Sequence, residues 1–389
     1  MSRFHSYLNN AIQILETYTG QQPFAVHLKA FFATQKKYGS TDRKQIAILC
    51  YDYFRVAAIL PDLPVSEKIL WACFICRTSP NPVLKVFHPE WNGKISWPAD
   101  LKANELSVNL HHIFPFSHLL SKQILPSDYS RSFLWQPNFY IRFRPGREKL
   151  AISLLKSAGL PLEMQSPTAA SLPPSTHLEG IIKPNRDVVV QDFCSQQVLN
   201  YLKTDEANIN KDKVFRVWDC CAASGGKSIL VYDILRKKVQ LTVSDIRESI
   251  LKKLRKRLQQ AGVPIHKLFI ADITQPEFNM EDRFDIVIAD VPCTGSGTWG
   301  RTPEQLHFFS ETSLVDFVQT QQKIATTAIQ HLNTSGLFFY ITCSVFEAEN
   351  EAVIDYLQKE ASLQLLQQEY IRGYDKQADT MFVAVFRKN

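Results

Sequence analysis

Between His27 and Leu60, in HLKAFFATQKKYGSTDRKQIAILCYDYFRVAAIL, apolar residues return every three or four positions. That spacing puts them on one side of an α-helix. Residues 1–60 therefore predict amphipathic helices with a break at Gly39, Ser40 and Thr41. Thr41 is the expected N-cap of the helix that carries Lys44 and the apolar run 46–49. The stretch 77–130 has no such rhythm. Its prolines, Trp91, Trp97 and the scattered His88, His111, His112 and His118 fit no metal-ligand spacing, so packing or surface roles are expected of them.

From about residue 135 the pattern changes. FYIRFRP alternates like a strand, REKLAISLLKSAG reads as a short amphipathic helix closed by Gly159, and PTAASLPPS reads as a loop. This order predicts a small α+β module and linker over 131–186. After 187, strand-like runs such as VFRVWDC, QLTVSD, KLFIAD, FDIVIAD and LFFYITC alternate with helical patterns. Strands that are apolar throughout and separated by helices predict a doubly wound α/β sheet of Rossmann-like type. The expected division is thus a helical domain over 1–130, the α+β module over 131–186, and the α/β domain over 187–389. The basic run Lys252, Lys253, Arg255, Lys256 and Arg257 lies on one of the helices, where a solvated face is expected.

A length of 389 residues agrees with two or three domains at roughly 150 residues each. With 45% hydrophobic and 21% charged residues, a wholly disordered chain is excluded. The longest apolar run, 69–76, falls far short of the roughly 20 residues of a membrane span. The start MSRFHSYLNN offers no apolar segment of a signal peptide, so a cytoplasmic location is expected. Net charge is +6 and unevenly spread: residues 1–200 hold 21 Lys+Arg against 14 Asp+Glu, and residues 201–389 hold 23 against 24. The first part is the better place for a polyanion, with Arg142 and Arg144 on FYIRFRP as candidate phosphate contacts. The eight cysteines are expected to be thiols. Cys73 and Cys76 form CxxC, but no second pair accompanies them and LWACFIC is apolar, which predicts a buried helix and no metal.

In an open α/β sheet, ligands bind beyond the carboxyl ends of the strands. The first such end runs into Asp219-Cys220-Cys221-Ala222-Ala223-Ser224-Gly225-Gly226-Lys227, where small residues and paired glycines admit a ligand close to the backbone. The next strands end at Asp245, Asp272 and Asp290. Asp245 stands where such folds place a carboxylate for ribose hydroxyls. AASGGK supplies neither G-x-G-x-x-G nor a full G-x-x-x-x-G-K-[ST], so a nucleoside without a pyrophosphate, S-adenosylmethionine, fits best.

Two further strand ends carry cysteines, in Asp290-Val291-Pro292-Cys293 and Tyr340-Ile341-Thr342-Cys343-Ser344. Methylating carbon 5 of a pyrimidine requires a thiol, because that carbon is a poor nucleophile until a thiolate has added to carbon 6. Asp290 is the candidate acid for ring nitrogen 3.

DCCAASGGKS, SDIRESILKKLRKRLQQAG, DVPCTGSGTWGRTPE and YITCSVFEAENE, with VVVQDFCSQ before them, resemble the successive motifs of the RsmB/Sun family of RNA 5-methylcytosine methyltransferases. The resemblance runs over roughly 135–389. It implies Cys343 as nucleophile and Cys293 as the group that assists product release. It also implies that Cys221, Ala222, Ala223, Ser224, Gly225, Gly226 and Lys227, with Asp245, Asp272 and Asp290, line an S-adenosylmethionine pocket. Ser224 departs from the family's usual A-A-P-G-G-K, and binding of the cofactor is expected to survive that change. GSTDRKQIAILCYDYFR is similar to the NusB-like RNA-binding domain of the ribosomal-RNA branch. The expected partner is RNA, 16S ribosomal RNA before transfer RNA, acted on by a single chain. A non-catalytic ribosome-assembly factor is the reading from another class, and retention of both cysteines and the strand-end aspartates argues against it. A DNA cytosine methyltransferase does not need the second cysteine.

Overall fold

The structure, a computed structural model, describes residues 3–207, 209–210 and 212–389. It separates into two compact units, 1–136 with 298–310, and 137–297 with 311–389.

The first unit is helical, with long helices at Arg3–Thr17, Phe24–Thr34, Ser40–Val56 and Val65–Cys76. Their apolar faces bury Tyr7, Ile14, Phe24, Ile46, Phe54, Ile69 and Phe74. The third helix begins at Ser40, so Thr41 is not its cap. Asp42, one turn in, accepts a hydrogen bond from the Gly39 N–H at 3.0 Å and does the capping instead. Cys73 is fully buried on the fourth helix, as LWACFIC implies. The arrhythmic stretch 77–130 folds into short helices, which explains its silence: pieces of five to seven residues carry too few turns to show a period. Segment 298–310 clusters with these helices, not with the α/β sheet that surrounds it in sequence. The buried Arg55 binds it by donating from Nη1 to the Gly300 carbonyl at 3.0 Å.

The second unit opens with strands β1 (Phe139–Phe143), β2 (Glu163–Ser166), β3 (Ala169–Leu172) and β4 (Val188–Val190), which form an antiparallel sheet in the order β2-β3-β1-β4. PTAASLPPS is therefore not all loop. Its Ala-Ala-Ser-Leu core is β3, buried throughout beside β1, where pairing overrides the weak strand preference of small residues. Along β1, Ile141 and Phe143 face a small core with Ala151, Leu155 and Val188, while Tyr140 joins the core of the larger sheet.

That larger sheet contains β5 (Phe215–Asp219), β6 (Val239–Asp245), β7 (Lys267–Ile270), β8 (Phe284–Asp290), β9 (Leu332–Thr342), β10 (Leu363–Ile371) and β11 (Met381–Lys388). Their order is β10-β11-β9-β8-β5-β6-β7. Strands β5 to β9 are parallel, and β11 runs antiparallel between β9 and β10. The chain winds outward from β5 through β6 to β7, then returns to β8 on the other side of β5. The loops after β5 and β8 thus diverge and leave a crevice at the carboxyl ends. Val217, Leu241, Val243, Ile286, Ile288, Phe339, Ile341, Val383 and Val385 fill the core beneath it. No helix of the described residues is long and apolar enough to cross a membrane.

Candidate functional site

A cleft of about 650 Å³ opens at the crevice, lined among others by Cys220, Cys221, Ala223, Asp245, Asp272, Asp290 and Cys293. That volume is in the range of small-molecule sites. Of the glycine-rich loop, Cys221 and Ala223 form the wall, Ala222 is buried, Ser224 is exposed, and Gly225 and Gly226 lead into the helix Gly226–Ile234. Gly225 has φ +82°, a left-handed conformation that glycine adopts without steric cost, and this turns the chain sharply into the helix.

Asp245 ends β6 and is almost fully buried. Its Oδ2 accepts from the Ala223 N–H at 3.0 Å and from Arg247 Nη2 at 3.2 Å, and its Oδ1 accepts from Arg247 N and Nε, each at 3.0 Å. Burial pushes this carboxyl up, but the Arg247 and Ala223 bonds together outweigh it and hold the group below its usual value. Asp272 lies two residues past β7, in a turn, where its carboxylate accepts from Thr274 Oγ1 at 2.6 Å and Gln275 Nε2 at 2.7 Å. Lys227 reaches Asp290, Nζ to Oδ2 2.6 Å. Burial disfavours this ammonium, but the Asp290 carboxylate more than offsets that and raises its pKa.

The two cysteines meet because β8 and β9 are parallel neighbours, with Asp290 opposite Ile341. Three residues past one and two past the other, the Cys293 and Cys343 sulfurs lie 3.4 Å apart as free thiols. Cys293 is pushed well above the ordinary thiol value, first by its hydrogen bond to the Cys343 sulfur, then by burial and the Glu349 charge. Gly297 lets the two loops cross: its N–H donates to the Cys343 carbonyl at 2.8 Å, and a Cβ there would sit 2.3 Å from the Thr380 carbonyl oxygen.

Sequence reasoning passed over the group that fixes both loops. Glu349 is fully buried and accepts from Thr294 N at 2.8 Å, Thr294 Oγ1 at 2.5 Å, Gln321 Nε2 at 2.9 Å and the Ser344 hydroxyl. Thr294 follows Cys293 and Ser344 follows Cys343, so one carboxylate grips both cysteine loops. The signal was present in FEAENE, six residues beyond Cys343. Arg142 and Arg144 correct the expectation of phosphate contacts. Both are buried, and both pair with Asp233 on the helix after the glycine loop, Nη1 to Oδ2 2.6 Å and Nε to Oδ2 3.0 Å. Among the described residues, no cluster of three or more His, Cys, Asp and Glu side chains is placed to hold a metal.

Residues 207–386 match the family model described as 16S rRNA methyltransferase RsmB/F. Ribosomal RNA small subunit methyltransferase B of Photorhabdus laumondii is 29% identical over 221 residues, 55% of this chain and 49% of that protein. Ribosomal RNA small subunit methyltransferase F of Vibrio vulnificus is 25% identical over 166 residues, 43% and 35% of the two. The chain thus spans about half the length of the curated relatives it matches, or less. The crystal structure of PH0851 superposes with a TM-score of 0.69 at 18% identity, over 99% of this chain and 98% of that one. NSun6 from Pyrococcus horikoshii, solved with SFG, gives 0.56 at 16% identity, over 69% and 96%. At these identities the likeness is one of fold.

Proposed function

We propose that this chain, whose residues 207–386 match the RsmB/F methyltransferase family model, transfers a methyl group from S-adenosylmethionine to carbon 5 of a cytosine in small-subunit ribosomal RNA. The observation that carries this reading is the 3.4 Å approach of the Cys293 and Cys343 sulfurs beside a cleft lined with strand-end carboxylates. The cleft suits the cofactor: Asp245 offers acceptors to ribose hydroxyls, Asp272 stands on the next strand end for the base, and the loop of Cys221 and Ala223 presents backbone at close range. When bound, S-adenosylmethionine supplies an electrophilic methyl group.

Cys343 is the nucleophile. As a thiolate it adds to carbon 6 of the cytosine, and ring nitrogen 3 takes a proton from the Lys227 ammonium by way of Asp290, the carboxylate paired with it. Carbon 5 then has enamine character and takes the methyl group. Loss of the carbon 5 proton and departure of Cys343 restore the aromatic ring. Cys293 serves this release. As a thiolate beside the adduct, its sulfur 3.4 Å from that of Cys343, it takes the carbon 5 proton while Cys343 leaves as the other thiolate.

The helical residues 1–130, NusB-like at GSTDRKQIAILCYDYFR, and the α+β module that follows would supply most of the RNA grip, in line with the positive excess of residues 1–200. Bisulfite sequencing of ribosomal and transfer RNA, with and without the gene, tests the assignment. One small-subunit cytosine should lose its methyl group and regain it from purified protein and S-adenosylmethionine. No change at any cytosine would refute the reading.

A further inference from the structure

The basic helix Glu248–Gln260 is not uniform. Lys252, Lys253, Arg255 and Lys256 are exposed, as a solvated face should be, but Arg257 is half-buried and turned toward the glycine-rich loop. Its Nη1 donates to Ser224 Oγ at 2.8 Å and to the Ser224 carbonyl at 3.2 Å. The other two nitrogens reach the loop and strand at the edge of the small sheet, Nη2 to the Val190 carbonyl at 3.1 Å and Nε to Asn185 Oδ1 at 3.0 Å. One planar fork thus ties three segments together.

The loop it holds needs holding. Ala223 has φ +44° and Gly225 φ +82°, so Ser224 lies between two left-handed residues, the first of them one that pays a steric cost there. Ala223 is also the residue whose N–H meets Asp245 and whose side chain lines the cleft. The resembling loops carry proline at the position of Ser224, which fixes the backbone covalently. Serine cannot do so, but its hydroxyl gives the guanidinium an acceptor.

We infer that Arg257 is a positioning residue: through Ser224 it holds the 222–225 loop in the shape that receives the cofactor, and through Val190 and Asn185 it anchors that loop to the small antiparallel sheet. This rests on the S-adenosylmethionine reading of the cleft. Two measurements on the full chain decide it. Amide hydrogen exchange of residues 222–226 in the free protein reports the loop itself, and calorimetric titration with S-adenosylhomocysteine reports the site. Ser224→Ala, an exposed change that leaves the fold intact, should speed exchange and weaken binding about two- to tenfold, the worth of a hydrogen bond. Ser224→Thr should restore wild-type behaviour, and Lys253→Gln on the solvated face should change nothing. Arg257→Gln should weaken binding at least as much as Ser224→Ala, and Ser224→Ala should cost little more in that background. Unchanged exchange and affinity in Ser224→Ala, or an equal cost in both backgrounds, would overturn the inference. If the wild-type protein did not bind S-adenosylhomocysteine, the cofactor reading would fall, and the exchange data alone would then decide whether Arg257 restrains the loop.

Discussion

Asp219 closes β5 with no exposed surface. The Ser228 hydroxyl donates to its Oδ2 at 2.5 Å, while Oδ1 has no partner among the described residues. Burial therefore dominates and pushes its pKa from 3.8 to about 7, with Asp290 and Asp245 adding repulsion. An acid raised in this way favours the folded state fully below its unfolded value, and that contribution is lost as pH rises through 7. Asp219→Asn removes the titration. Its stability relative to wild type should improve by about 1–3 kcal/mol between pH 5 and pH 9, whatever its constant offset. Thermal unfolding of the two proteins across that range checks this, and a pH-independent difference would contradict it. At this scale the strand-end aspartates were legible because each follows a continuous apolar run. Asp233, which neutralises Arg142 and Arg144, was not: it lies 91 residues beyond Arg142, and alternation along a strand gives a face without naming what covers it.

Adjacent parallel strands make the cysteine pair, and a single carboxylate keeps it. Glu349→Ala would leave the Thr294 N–H and hydroxyl, the Gln321 amide and the Ser344 hydroxyl without their buried acceptor. Each such group costs about 1–3 kcal/mol, so the variant should lose at least about 3 kcal/mol in denaturant titration, with Glu349→Gln milder. A loss under about 1 kcal/mol would mean that the two loops are fixed by something else. The parallel strands were readable from their apolar runs. Strand β3 was not, because Ala and Ser between prolines carry a turn signal that only pairing with β1 and β2 overrides. Nor was β10: LQLLQQEYI shows no clean alternation, because a register shift between Leu365 and Gln367 exchanges its faces partway along.

Over the whole chain, the positive excess lies in residues 1–200, but some of its members, Arg55, Arg142 and Arg144 among them, are buried and bonded internally. Arg142→Met should destabilise the protein by about 3 kcal/mol, the cost of breaking a buried ion pair. It should leave the salt dependence of RNA binding unchanged. A slope shallower by about one would show instead that this arginine meets a phosphate. The central claim is the division of labour between the two thiols, and covalent trapping tests it most directly. Each cysteine variant is mixed with substrate RNA and S-adenosylmethionine, then run on a thiol-free denaturing gel. Cys293→Ala should give a slower band containing both protein and RNA, and Cys343→Ala should give none. An adduct with Cys343→Ala and none with Cys293→Ala would assign the nucleophile to Cys293 and contradict the account.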